Sequence, residues 1–63
     1  MAPLHQTAEY KLLSELVEKA EVPADKLNQL ALTKAIDEGY VKQEGDLVWI
    51  TNDGLDRLDE LEG

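Results

Sequence analysis

The sequence predicts one small α+β domain in the order helix, helix, β-hairpin, helix. Two patterns predict this class: apolar residues recur at helical spacing in three segments, and β-branched and aromatic residues flank an acidic-Gly-acidic turn. The chain has 63 residues, of which 43% are hydrophobic and 32% charged. This size and composition are typical of a single folded domain. We predict a flexible tail at 1–6 and one domain over 7–62.

The first helix is predicted at about 8–19. Thr7 is a good N-cap, and Glu9 places negative charge in the first turn, where the helix dipole favours it. The apolar stripe of this helix is predicted to comprise Tyr10, Leu13, Leu16, Val17 and Ala20.

The second helix is predicted from Ala24 to Glu38. Pro23 ends the first pattern and suits the start of a new helix, while Gly39 is a typical C-terminal stop. Its buried stripe is predicted to comprise Leu27, Leu30, Ala31, Ala35 and Ile36.

The hairpin is predicted between residues 40 and 51. Its two-residue loop is either Glu44-Gly45 or Gly45-Asp46. Alternation along the strands sorts the side chains into two faces. The face predicted to point to the core contains Val41, Val48 and Ile50, and the opposite face contains Tyr40, Lys42, Leu47 and Trp49.

The last helix is predicted at about 52–61. Thr51 is its N-cap, and Asp53 lies in its first turn. Leucines recur on one side of this helix, and its polar side carries many carboxylates, which we interpret as a solvated face. The leucines are Leu55, Leu58 and Leu61.

Net charge is the strongest compositional signal. Fourteen acidic residues face six basic ones, giving a net charge of −8. Nucleic-acid binding draws its affinity largely from cations that neutralise phosphates, so this chain repels DNA at long range. The acidity has three open explanations: solubility, adaptation to a salty cytoplasm, or a basic partner.

The residue inventory disfavours an enzyme, a metal site or a bound cofactor. Cysteine is absent, which excludes disulfides and thiolate zinc sites. His5 is the single histidine, and no catalytic triad or glycine-rich phosphate loop occurs. No apolar run is long enough to span a membrane, and the N-terminus lacks the pattern of a signal peptide. We therefore expect a cytoplasmic protein with no membrane partner.

The segment over residues 27–61 resembles the C-terminal half of a winged-helix domain. An acidic-Gly-apolar-Val step ends at Val41, the hairpin follows as a wing, and Thr51, Gly54 and Leu58 form a Thr-x-x-Gly-x-x-x-Leu motif. The MarR-type and PadR-type transcription regulators have these features in this order. The chain between 22 and 38 is short for a complete helix-turn-helix. Either its first helix is one irregular turn around 23–26, or it has been lost.

The resemblance implies a DNA-binding, transcription-related module. In that reading the helix before the wing enters the major groove and the wing contacts the DNA backbone. The residues implied to contact nucleic acid are Asn28, Gln29, Thr33, Lys34 and Lys42. The alternative is an ordinary solvated helix face, since acidic residues share the same surfaces.

A second hypothesis is an acidic protein-interaction module on the same scaffold. Tyr40, Leu47 and Trp49 would form its contact face, because tryptophan and tyrosine dominate interface hot spots. The partner would be a protein with a basic surface, and in one variant the carboxylates mimic DNA phosphates. A homodimer is also possible on this scaffold, and exposed leucines at Leu12 or Leu61 would be its footprint.

Overall fold

The computed structural model describes residues 7–62, so the predicted tail at 1–6 lies outside the described residues. Three helices pack around a three-stranded antiparallel sheet. The predicted α+β class, with a β-hairpin between helices, is confirmed, and this arrangement is compatible with a winged-helix-like fold. Along the chain the elements are α1 (Ala8–Lys19), β1 (Glu21–Pro23), a 3-10 turn (Ala24–Lys26), α2 (Gln29–Glu38), β2 (Val41–Glu44), β3 (Leu47–Ile50) and α3 (Asn52–Glu62).

Helix α1 has its predicted bounds because its cap forms. The Thr7 side chain accepts a hydrogen bond from the Tyr10 amide at 3.2 Å. The buried stripe differs in part from the prediction: Leu12 is buried, whereas Val17 is 47% exposed. Ala20 lies outside the helix and joins it to β1 with a φ of 69°. Helix α1 packs against α2, α3 and the sheet together, which turns its buried arc toward Leu12.

The predicted helix from Ala24 to Glu38 is wrong in its first third. A three-residue strand, a 3-10 turn and an extended Leu27 precede α2. The break forms at Asn28, whose Oδ1 accepts a hydrogen bond from the Ala31 amide at 3.0 Å and caps α2. Of the two arrangements that the resemblance allows around 23–26, the 3-10 turn over Ala24–Lys26 is compatible with the single irregular turn.

This later start also changes the predicted buried stripe of α2. Leu30 is 85% exposed and Ile36 is 42% exposed, whereas Leu32 and Ala35 are buried. Leu27 is buried as predicted, but it lies in the extended link before the helix. Because Leu27 is not part of the helix, its burial does not determine which side of α2 faces the core.

The sheet has the strand order β1-β3-β2. Glu44 pairs with Leu47, so the two-residue loop is 45–46, with Gly45 at a φ of 60°. The predicted core-facing set is confirmed, since Val41 and Val48 are buried and Ile50 packs against the core. Strand β1 was not predicted from the sequence. It adds a buried Val22 directly opposite Val48.

A compact junction joins the end of α2 to the start of α3. Gly39 ends α2 in the left-handed region with a φ of 83°. The Thr51 hydroxyl donates to the Gly39 carbonyl oxygen at 2.7 Å and accepts from the Gly54 amide at 3.0 Å. The Thr51 amide also donates to the Tyr40 carbonyl oxygen at 2.9 Å. One threonine thus caps α3 and fixes the entry to β2.

Gly54 allows α3 to approach this junction closely. A Cβ atom at this position would collide with the Tyr40 carbonyl oxygen and would lie 2.6 Å from Cγ1 of Ile50. On α3, Leu58 and Leu61 are buried as predicted, but Leu55 is 44% exposed. Glycine takes the inward position instead, because only a residue without a side chain fits there.

The core is formed by the inward sides of all three helices and the sheet. No helix within residues 7–62 is long and apolar enough to cross a membrane. The buried hydrophobic residues are Leu12, Leu13, Leu16, Val22, Leu27, Leu32, Ala35, Val41, Val48, Leu58 and Leu61.

Candidate macromolecule-binding site

The two amide side chains predicted to read bases are engaged in holding the start of α2. Asn28 is the N-cap, with its Oδ1 bonded to the Ala31 amide. Gln29 donates through Nε2 to the carbonyl oxygens of Ala24 at 2.7 Å and Leu27 at 3.0 Å. An adenine contact needs both the oxygen and the nitrogen of such an amide, so base reading would require these bonds to break.

Thr33 and Lys34 lie exposed on α2, as a groove-contacting role requires. They share the outer side of the helix with Leu30 and Asp37. Lys34 and Leu30 also line a shallow groove between α2 and the start of α1. This helix face therefore presents one cation, one carboxylate and one large apolar side chain together.

Lys42 is exposed on β2, where it pairs across the sheet with Trp49. Within residues 7–62, neither Lys34 nor Lys42 takes part in an ion pair. Exposed acidic residues surround these two lysines on α2 and the hairpin, and they lower the local positive potential. These residues are Asp37, Glu38, Glu44 and Asp46.

The three residues predicted to form one protein-contact face differ in their burial. Tyr40 is half-buried and packs against the core. Leu47 is 41% exposed and Trp49 is partly exposed, and both remain on the side of the sheet away from the core.

The structure supplies other neighbours for Leu47 and Trp49. In one row across the sheet, Trp49 lies between Glu21 of β1 and Lys42 of β2. In the next row, Leu47 lies between Pro23 and Glu44. We call this surface the outer sheet face; its members are Glu21, Pro23, Lys42, Glu44, Leu47 and Trp49.

The Arg57 side chain links α3 to α1. Its guanidinium binds both carboxylate oxygens of Glu9, at 3.2 and 3.3 Å, and also contacts Glu60 at 3.3 Å. The hydrogen bonds that Arg57 donates to Glu9, together with the negative charge of Glu9, raise the pKa of Arg57 above its ordinary value, with a smaller contribution from the hydrogen bond to Glu60. Stability from a raised pKa is lost only as pH rises through that pKa, so deprotonation of Arg57 does not weaken this link between α1 and α3 near neutral pH.

The exposed leucines that would mark a homodimer surface do not occur at Leu12 or Leu61. Leu12 is 3% exposed and Leu61 is 6% exposed, because both pack inside the domain. Within residues 7–62, no cluster of acidic, histidine or cysteine side chains is arranged to hold a metal ion. His5 lies outside the described residues.

No periodic pattern in the sequence indicates the parts of the site that β1 and α2 add. Three residues are too few to display alternation, so Glu21 and Pro23 could not be assigned to the sheet. The exposure of Leu30 follows from the helix start at Asn28, and an asparagine before a helical stretch is a recognised capping signal.

Comparisons of the chain with protein-family models, curated proteins and solved structures gave no match.

Proposed function

We propose that this chain is a winged-helix-like macromolecule-binding module of the transcription-regulator kind, whose DNA binding is weak and depends on a partner. The observation that supports it is the arrangement of α2 beside the hairpin. Thr33 and Lys34 on α2, and Lys42 on the hairpin, are all exposed. In winged-helix proteins these two elements are the ones that contact DNA.

The weakness of binding follows from the small number of cations. In the described part of the chain, Lys34 and Lys42 are not ion-paired and could each contact one phosphate. With two such contacts, the logarithm of the binding constant would fall with the logarithm of the salt concentration with a slope of about 2. The net charge of −8 opposes the approach of the isolated chain. A second copy or a basic partner would have to contribute further phosphate contacts.

Asn28 and Gln29 contribute to this function by positioning. Their bonds to Ala31, Ala24 and Leu27 set the direction in which α2 leaves the 3-10 turn. We propose this role for them in place of base reading.

A second candidate function is protein binding through the hairpin. Leu47, with 41% of its surface exposed, supports this candidate together with Trp49, since both lie outside the packed core. The negative charge of the chain would attract a basic protein partner, whereas it repels DNA.

The test is an amide NMR titration of the labelled chain with a mixed-sequence DNA duplex, at low and then at physiological salt. We expect small shifts at Thr33, Lys34 and Lys42 that vanish as salt rises. A Lys34→Gln, Lys42→Gln double variant should lose them, and a Lys11→Gln, Lys19→Gln variant, which removes two lysines from α1, should retain them. Absence of shifts in the wild type at low salt would refute DNA binding by this chain.

A further inference from the structure

We infer that the outer sheet face docks a short, basic segment of a partner protein, in which cationic residues accompany one large apolar side chain. This inference deepens the second candidate function by naming the chemistry of the partner. It rests on three features of the face: its apolar centre, its carboxylate rim and its size.

The apolar centre consists of Leu47 and Trp49 on β3, next to Pro23 on β1. The register places Pro23 directly opposite Leu47, so the two side chains adjoin on the same face. Leu47 is 41% exposed although it lies on the central strand, where neighbours on both sides normally cover a side chain. A shallow groove of about 450 Å³ runs beside these residues, lined by Pro23 and Leu47 together with Asp25, Lys26 and Asp46.

Carboxylates form most of the rim. Glu21 stands next to Trp49, Glu44 next to Leu47, and Asp25 and Asp46 line the groove. Against these four acids stand two bases, Lys26 and Lys42. Within residues 7–62 none of the four carboxylates is engaged in an ion pair. A segment that buries the apolar centre must bring positive charge to this rim, or it would desolvate unpaired carboxylates.

The pairing of Glu21 with Trp49 favours arginine over lysine in the segment. A guanidinium can stack on an indole ring while it donates hydrogen bonds to a neighbouring carboxylate. The cross-strand register holds these two residues side by side, so one arginine can use both. Lys42, on the other side of Trp49, restricts this approach to the β1 side.

The size of the face indicates a peptide segment as the occupant. Two rows over three strands span roughly 10 by 7 Å between Cα atoms, far less than the ~800 Å² per partner that stable protein interfaces bury. A second copy of the chain is disfavoured, because a symmetric contact would set these carboxylates against their own copies. A short basic segment matches both the area and the charge.

The experiment is a selection of phage-displayed random dodecapeptides on the immobilised chain, followed by NMR mapping and a tryptophan fluorescence titration with the most enriched peptide. Trp49 is the only tryptophan, so its emission reports on this face directly. We expect enriched peptides to be rich in arginine with a large apolar residue. The amides that shift should lie in β1, β2 and β3.

Matched variants make the result specific. Leu47→Ser keeps the fluorophore and should weaken binding by about tenfold or more. Glu21→Gln with Glu44→Gln should weaken it by roughly threefold, with less dependence on salt. Leu30→Ser, at the most exposed large apolar residue of the described chain, should leave it unchanged.

Several results would overturn the inference. These are the absence of any enriched peptide, enrichment of neutral or acidic peptides, equal losses in Leu47→Ser and Leu30→Ser, or shifts confined to α3. Concentration-dependent shifts of the outer sheet face without peptide would instead assign it to a second copy. If a DNA duplex shifted the amides of Glu21, Leu47 and Trp49, the face would belong to nucleic-acid binding. DNA binding is read at Thr33 and Lys34 on α2, and peptide binding is read at Glu21, Leu47 and Trp49, so either proposal can fail without the other.

Discussion

The junction around Thr51 and the outer sheet face are both built on the ends of β3, yet they differ in how completely their groups are partnered. At the junction, the Thr51 hydroxyl both donates and accepts, and Gly54 leaves no space for a side chain. On the outer sheet face, Leu47 is open to solvent, and Glu21 and Glu44 form no ion pair within residues 7–62. Groups that bond to one another inside the domain stabilise the fold, whereas an exposed large apolar side chain beside hydrated carboxylates is available to a partner.

The largest expected effect is at Gly54. In Gly54→Ala the added Cβ meets the Tyr40 carbonyl, which is backbone and cannot swing away. We expect a loss of about 2–3 kcal/mol, despite the better helix propensity of alanine. Urea denaturation followed by circular dichroism measures it. Asp56→Ala, at an exposed position of the same helix, is the control, and equal stability of the two variants would disprove the close approach.

Thr51→Ala should have the next largest effect. It removes the cap of α3 and the bond to the Gly39 carbonyl together, for an expected loss of about 1–2 kcal/mol. Thr51→Ser retains the hydroxyl and should recover most of that loss. If serine were no better than alanine in thermal denaturation, the hydroxyl would not be what holds the junction.

Leu47→Ser should have the smallest effect on stability, within about 0.5 kcal/mol, because little packing is lost at an exposed position. The same variant should have the largest effect on peptide binding. Denaturation and binding of one sample therefore test the contrast directly. A loss of stability equal to that of Thr51→Ala would mean that Leu47 serves the fold.

The sequence predicted those parts of the fold that local chemistry determines. Thr7 and Thr51 mark helix starts that the structure confirms, and the turn at Gly45 fixed the faces of β2 and β3. These features depend on residues within a few positions of one another. They could therefore be read without knowledge of the tertiary structure.

The parts that could not be predicted depend on distant pairing or on close approach. Strand β1 exists because Val22 pairs with Val48, 26 positions away. Tyr40 alternates with Lys42 in sequence, yet Tyr40 packs against the core, and its carbonyl oxygen accepts a hydrogen bond from the Thr51 amide. Of the candidate site, the exposure of Thr33, Lys34 and Lys42 agreed with expectation. The capping role of Asn28 and the hydrogen bonds of Gln29 depend on where α2 begins.

The two open edges of the sheet limit how this chain can polymerise. Strand β1 has three residues and ends at Pro23, which has no amide hydrogen to offer an incoming strand. Strand β2 carries Lys42 and Glu44, charges that make uncontrolled strand addition costly. Both edge strands therefore disfavour the strand addition by which fibrils grow. A partner chain would contact the broad face of the sheet instead.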